Sequence, residues 1–201
     1  MAINLANNNS LANITALPSS VSGGAMTLLA TQTASGSATL SFTSGIDDTY
    51  DSYVFKFINI HPATNNSSFQ FQGSTNSGSS YGVTITSSFF QTYHAEDNSA
   101  AALAYNTSND LAQSTSFQII ADTTGNGSDE SASGYLHLFN PSSTTFVKHF
   151  ISVDNHYYNG TYSINDFSAG YFNTTSAVDS IQFKFNSGNI DSGVIKLYGV
   201  S

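Results

Sequence analysis

Cysteine, tryptophan and arginine are missing from these 201 residues, and charge of either sign is sparse: four lysines against thirteen acids, net −9. Without cysteine there is no disulfide and no thiolate metal site, and the redox compartment leaves no mark on the chain. A nucleic-acid surface needs cations to displace phosphate counterions, with arginine the usual reader of bases and phosphates, so four scattered lysines argue against that partner. The same shortage disfavours an anionic membrane surface. No run approaches the ~20 apolar residues of a membrane-spanning helix. The opening Met1 to Ser10 has neither the basic start nor the continuous apolar stretch of a signal peptide, which predicts a soluble chain. Chemistry is thinly represented too. There are two glutamates, Glu96 and Glu130, with no Gly-x-Ser-x-Gly elbow and no His-Glu-x-x-His.

What is present in their place is Ser, Thr, Asn and Gly between short apolar runs. At this length one domain is expected, able to bury roughly 70% of its unfolded surface without a staple. Tyr50 to Pro62 is the strongest strand signal. Tyr53, Phe55 and Phe57 fall on one side; Val54, Ile58 and Ile60 fall on the other, as in an interior strand. A shorter echo follows at Ile181 to Phe185. The pairs Phe55-Lys56-Phe57 and Phe183-Lys184-Phe185 predict two neighbouring strands in one environment. Each lysine stem would cover apolar surface, and each ammonium would reach a sheet margin or a carboxylate.

Further strands are expected at Met26–Thr31 and Ser37–Thr43, joined in a hairpin at Ala34-Ser35-Gly36, and then at Phe69–Gln72, with apolar side chains in and amides out. Tyr81–Phe90, Phe117–Ala121, Ala132–Phe139, Thr145–Val153, Ile164–Phe172 (with Gly170 a bulge) and Val194–Val200 continue the series. Asn159-Gly160 between aromatic neighbours is a short hairpin cue. Residues 93–109 are expected as a surface loop with a helical turn at Ala100–Ala104. About ten short strands at intervals of roughly 10 residues predict an all-β chain folded as a single antiparallel β-sandwich, jelly-roll-like, spanning 25–201. Residues 1–24 are expected to form an extended N-terminal arm ahead of it. Leu5, Leu11, Ile14, Leu17 and Val21 dot this arm, and two readings stand: a loosely ordered terminus, or a docking arm buried along a neighbouring subunit.

The residues capable of chemistry do not converge on a catalytic centre. Pairs drawn from Asp122, Asp129, Glu130 and Asp166 could approach in space, but as turn carboxylates they need no other explanation. His61, His94, His137, His149 and His156 lack zinc-like spacing; His137 and His149 read as structural. The Asp122–Glu130 stretch has oxygen ligands and glycines without the order of an EF-hand loop, so calcium stays an open question there. No metal and no cofactor is expected. Tyrosine is the better signal. Tyr93, Tyr157 and Tyr158, with short polar neighbours, offer the faces that glycans or protein partners use, whereas Tyr162 and Tyr171 read as packing residues.

Residues 50–64, the stretch 111–118 (Leu-Ala-Gln-Ser-Thr-Ser-Phe-Gln), 136–145 (Leu-His-Leu-Phe-Asn-Pro-Ser-Ser-Thr-Thr) and the ending 187–200 with its Ile-Lys-Leu-Tyr-Gly resemble virion structural proteins of tailed bacteriophages, marine and cyanophage types especially. The resemblance covers nearly the whole chain and carries no catalytic signature. It implies a non-enzymatic virion component, made in the host cytoplasm and assembled on the particle with other virion proteins, as a homo-oligomer for which a trimer is favoured. Two roles follow as expectations, and a third, from a different class and disfavoured by the scarcity of glutamate, stands beside them. The first is a tail-fibre or appendage protein contacting host surface glycan. The second is a capsid decoration protein attached through the arm, and the third a tail-associated polysaccharide-degrading enzyme.

Overall fold

The computed structural model describes residues 25–158 and 160–201. The arm residues Leu5, Leu11, Ile14, Leu17 and Val21 lie outside them. Among the described residues there are twelve strands and no helix: β1 (Met26–Ser37), β2 (Leu40–Phe42), β3 (Ser52–Pro62), β4 (Ser67–Ser74), β5 (Ile85–Ala95), β6 (Ala101–Tyr105), β7 (Gln118–Thr124), β8 (Ala132–Phe139), β9 (Lys148–Tyr158), β10 (Tyr162–Phe172), β11 (Ser180–Phe185) and β12 (Ile190–Val200).

All pairing among the described residues is antiparallel. One ladder runs β1-β12-β3-β8-β9-β10-β5-β6, the other β2-β11-β4-β7, and they join at a single residue pair, Thr124 with Tyr158. The orders β1-β12-β3-β8 and β2-β11-β4-β7 are those of a doubled ribbon wound into two facing sheets, a jelly roll. Hairpin β5–β6 is inserted between β4 and β7, and hairpin β9–β10 between β8 and β11. Both insertions lengthen the first sheet beyond the end of the second.

Alternation builds the core. Tyr53, Phe55 and Phe57 of β3 point inward and are buried, as are Phe69 and Phe71 of β4 and Phe183 of β11. The Phe183 ring meets Phe55 and Phe57 at 5.3 Å each and stacks on Phe69 at 5.8 Å. The two Phe-Lys-Phe strands therefore face each other across the core and are not hydrogen-bonded neighbours. Their lysines point outward onto aromatic faces, Lys56 over Tyr198 and Lys184 over Phe117 (4.2 Å), where a margin or a carboxylate was expected.

Several local expectations are corrected by pairing partners. Ala34-Ser35-Gly36 does not turn; β1 runs through it against β12, because a long partner strand offers continuous hydrogen bonds. Ala101–Tyr105 is a strand, not a helical turn, templated by β5. Gly170 is no bulge: both registers pass through it unbroken, and a Cβ there would sit 2.4 Å from the Thr86 carbonyl oxygen. In β3 the register shifts between Phe57 and Ile60, with Asn59 at φ 51°, which turns Ile60 into the core instead of leaving it opposite Phe57. The Gln70 and Gln72 amides point away from the aromatic core as expected, yet they are buried, and Gln72 Nε2 donates to the carbonyls of Thr115 and Ser116 in an overlying segment.

Candidate functional site

The second sheet stops at β7 while the first continues through β9, β10, β5 and β6, so the inner face of these strands is only partly covered. Along β9 the inward side chains change character in a few residues. Phe150 is in the dry core, 5.0 Å from Phe71; then come Ser152, Asp154 and His156, all buried, and finally Tyr158. β10 mirrors the sequence with Phe172, Ser168, Asp166 and Ile164. Antiparallel register places Asp154 directly opposite Asp166, and Asp166 in turn opposite Gln91 of β5. On the other side Asp154 faces Gly134 of β8, where a Cβ would lie 2.3 Å from the Val153 carbonyl oxygen; only glycine permits that approach.

The polar groups are mutually bonded. His156 Nδ1 lies 3.0 Å from Asp154 Oδ2 and 3.9 Å from Asp166 Oδ2. Asp166 accepts from the Asp122 backbone N–H (2.8 Å) and from Gln91 Nε2 (3.2 Å), and the Asp122 carboxylate accepts from Ser68 Oγ (2.7 Å). Burial pushes Asp154 well above the usual carboxylate range, with the Asp122 charge adding to it. Burial and then the Asp154 charge push Asp166 up to about 7. Burial also holds His156 below its ordinary value, against the opposing pull of the Asp166 and Asp122 charges. Asp154 Oδ1 and His156 Nε2 are buried without a hydrogen-bond partner.

Above this floor opens a cleft of about 350 Å³ lined by Tyr93, Tyr158, Tyr162 and Ile164, with Gln91 and Asp122 among its polar groups. The Tyr162 ring stands 5.8 Å from Tyr93 and 5.9 Å from Tyr158, an edge contact and a tilted one. Two other depressions, near Tyr81 and near His61, have mostly polar linings.

Of the three tyrosines singled out from sequence, Tyr93 and Tyr158 meet in this cleft. Tyr157, the next residue to Tyr158 on the strand, points to the opposite face. Its hydroxyl is raised by desolvation and by Glu96 nearby. Tyr162 was expected to pack; it lines the cleft, because the β9–β10 turn sets it opposite Tyr158. Asp122 and Asp166 do approach each other, through a backbone amide and not as paired carboxylates. Glu130 closes its own turn by accepting from the Gly127 N–H. His137 Nε2 bonds Ser52 Oγ, a structural role as expected, while His149 is exposed with its ring 6.0 Å from Tyr171.

Asp154 was not singled out from the sequence, and His156 was set aside for its lack of zinc-like spacing. The register that sets Tyr158 against Tyr162 puts Asp154 against Asp166, whereas a two-residue Asn-Gly turn read from the sequence would pair Tyr158 with Thr161 and Asp154 with Asn165. No protein-family profile, no curated protein and no solved structure matches the chain.

Proposed function

We propose that this protein is a non-enzymatic component exposed on a tailed-phage virion, a tail-fibre or appendage protein whose Tyr93–Tyr158–Tyr162 cleft holds a glycan of the host surface. The cleft carries this reading. Sugar rings bind through apolar C–H faces laid on aromatic rings and through hydroxyls bonded to short polar groups, and here tyrosine walls surround Gln91, Asp122 and Thr123. The phage setting rests on the sequence resemblance. The carboxylates beneath the cleft support a binding role over hydrolysis: Asp154 and Asp166 are buried and bonded within the protein, not set on either side of a glycosidic bond.

Assembly with copies of itself, a homotrimer, or with other virion proteins has two neutral surfaces at its disposal. At one edge of the larger sheet β6 is exposed along its length, with Leu103 70% and Tyr105 55% accessible; at the other, Leu28 of β1 is 52% accessible. Such edges equally suit lateral packing on a capsid, so a head decoration protein is the second reading.

Purified full-length protein is expected to bind host surface polysaccharide and to block phage adsorption. The Tyr93→Ala/Tyr158→Ala double variant should lose both while keeping its circular dichroism. No competition at saturating protein rejects the fibre role, release of oligosaccharides from the polysaccharide rejects the non-enzymatic one, and gold labelling on the head instead of the tail selects decoration.

A further inference from the structure

The opposition of Asp154 and Asp166 is unusual for a sheet interior. Like charges directly across a strand pair destabilise it even when exposed, and here both carboxylates are buried with a third, Asp122, close by. Hydrogen bonds alone leave the group unfinished: Asp154 Oδ1, on a residue almost wholly buried, has no partner. Neighbouring apolar strands show that this sheet can fill its interior with phenylalanine, so the polar residues need a counterpart.

We infer that Asp154, His156 and Asp166 bind one first-row divalent cation, zinc or manganese, which ties β9 to β10 beneath the cleft. The ligating atoms lie within 4.8 Å of one another. A cation bonded at about 2.1 Å to each of its ligands sets them roughly 3 to 4 Å apart, which is the span of His156 Nδ1 to Asp154 Oδ2 (3.0 Å) and to Asp166 Oδ2 (3.9 Å). Two carboxylates cancel the double charge, so the pair is no longer repulsive and the buried site is neutral. An imidazole nitrogen among the ligands favours zinc or manganese over calcium or magnesium, which prefer all-oxygen shells. Asp154 would chelate through the unpartnered Oδ1 as well as Oδ2, and coordination through His156 Nδ1 leaves the proton on Nε2. Gln91 donates to Asp166 Oδ1 and the Asp122 backbone N–H to Oδ2, fixing the carboxylate as supporting residues do for metal ligands. Both also line the cleft, which gives the cation its way in.

The test uses untagged full-length protein, stripped with chelator, then equilibrated with Zn²⁺ or Mn²⁺ and freed of excess ion. Metal content by mass spectrometry should reach about one ion per chain, and Tm should rise on reloading. Asp154→Asn and Asp166→Asn should weaken binding at least about tenfold. Gln91→Ala, which leaves every ligand in place and touches less of the core, should weaken it about tenfold or more. Asp129→Asn/Asp191→Asn, at the acidic depression near His61, should bind like wild type. Substoichiometric metal with an unmoved Tm overturns the site and leaves a cluster neutralised by protons. Binding that survives in folded Asp154→Asn and Asp166→Asn, or is lost in Asp129→Asn/Asp191→Asn, places the ion elsewhere and overturns it too.

Discussion

The two halves of the sandwich interior are lined by the same kind of strand and filled in opposite ways. In one, Phe183 is ringed by Phe42, Phe55, Phe57, Phe69 and Phe71, at centroid separations of 5.3 to 6.3 Å. In the other, the inward positions of β9 and β10 carry Asp154, His156 and Asp166 under a tyrosine-walled cleft. The difference follows from what lies opposite. Where two sheets face each other, side chains from both interdigitate and water is excluded. Where the second sheet has ended at β7, only one edge covers the longer sheet, and polar groups reach both protein partners and the cleft. Stability belongs to the first region; recognition, on the present proposal, belongs to the second.

The largest expected effect lies in the aromatic half. Phe183→Ala removes the ring at the centre of the cluster and should cost about 3–5 kcal/mol, read as a lowered midpoint in urea at unchanged slope. A loss below about 1 kcal/mol would mean that the cluster collapses around the gap, and the contrast between the halves would weaken.

Next comes the pH response of the polar half in chelator-stripped protein. The groups facing Asp166 are Asp154, His156 and Asp122, and Asp166 is raised from 3.8 to about 7, burial being the first cause. Between those values the native state holds a proton that the unfolded chain has released. This contribution is therefore fully present below about pH 4 and is lost as pH rises towards 7. Asp166→Asn should flatten that part of the stability profile. An equally steep profile in the variant would assign the titration to other groups.

A smaller effect on folding, with a large one on binding, is expected in the cleft. Tyr93→Ala and Tyr158→Ala each leave a partly exposed site, so stability should fall by about 1 kcal/mol or less, while affinity for host polysaccharide drops at least about tenfold. A matching loss of stability would show the rings to be core residues after all. The smallest folding effect belongs to the β6 edge: Leu103→Lys should stay within about 0.5 kcal/mol of wild type. Sedimentation should nevertheless show less self-association, because a charged edge strand resists pairing.

Much of the fold was legible because alternation in β4, β11 and β3 as far as Phe57 fixes which side chains point inward; beyond it the shift at Asn59 turns Ile60 inward, against the alternation. Expectations failed where a partner decides the outcome. Ala34-Ser35-Gly36 has turn composition but is held straight by β12, and Ala101–Tyr105 has helical composition but is held extended by β5. The Phe-Lys-Phe echo identified two strands in like environments; that they face each other across a core instead of sharing a ladder is a matter of topology. Of the site, Tyr93 and Tyr158 were visible as aromatic residues in polar company. Tyr162 was not separable from packing, and Asp154 and His156 lay beyond the expected Thr145–Val153 strand, which runs on to Tyr158.

Composition and periodicity by themselves determined that this chain folds as an antiparallel sandwich with a phenylalanine core, and that little cationic surface is available to meet nucleic acid. Those properties come from residue type and from a period of two, both local. Only the tertiary structure decided that the first sheet outruns the second, and with it where a cleft opens and which carboxylates must share a buried row. Register adds the positions of distant strands together, and no single stretch of sequence contains that sum.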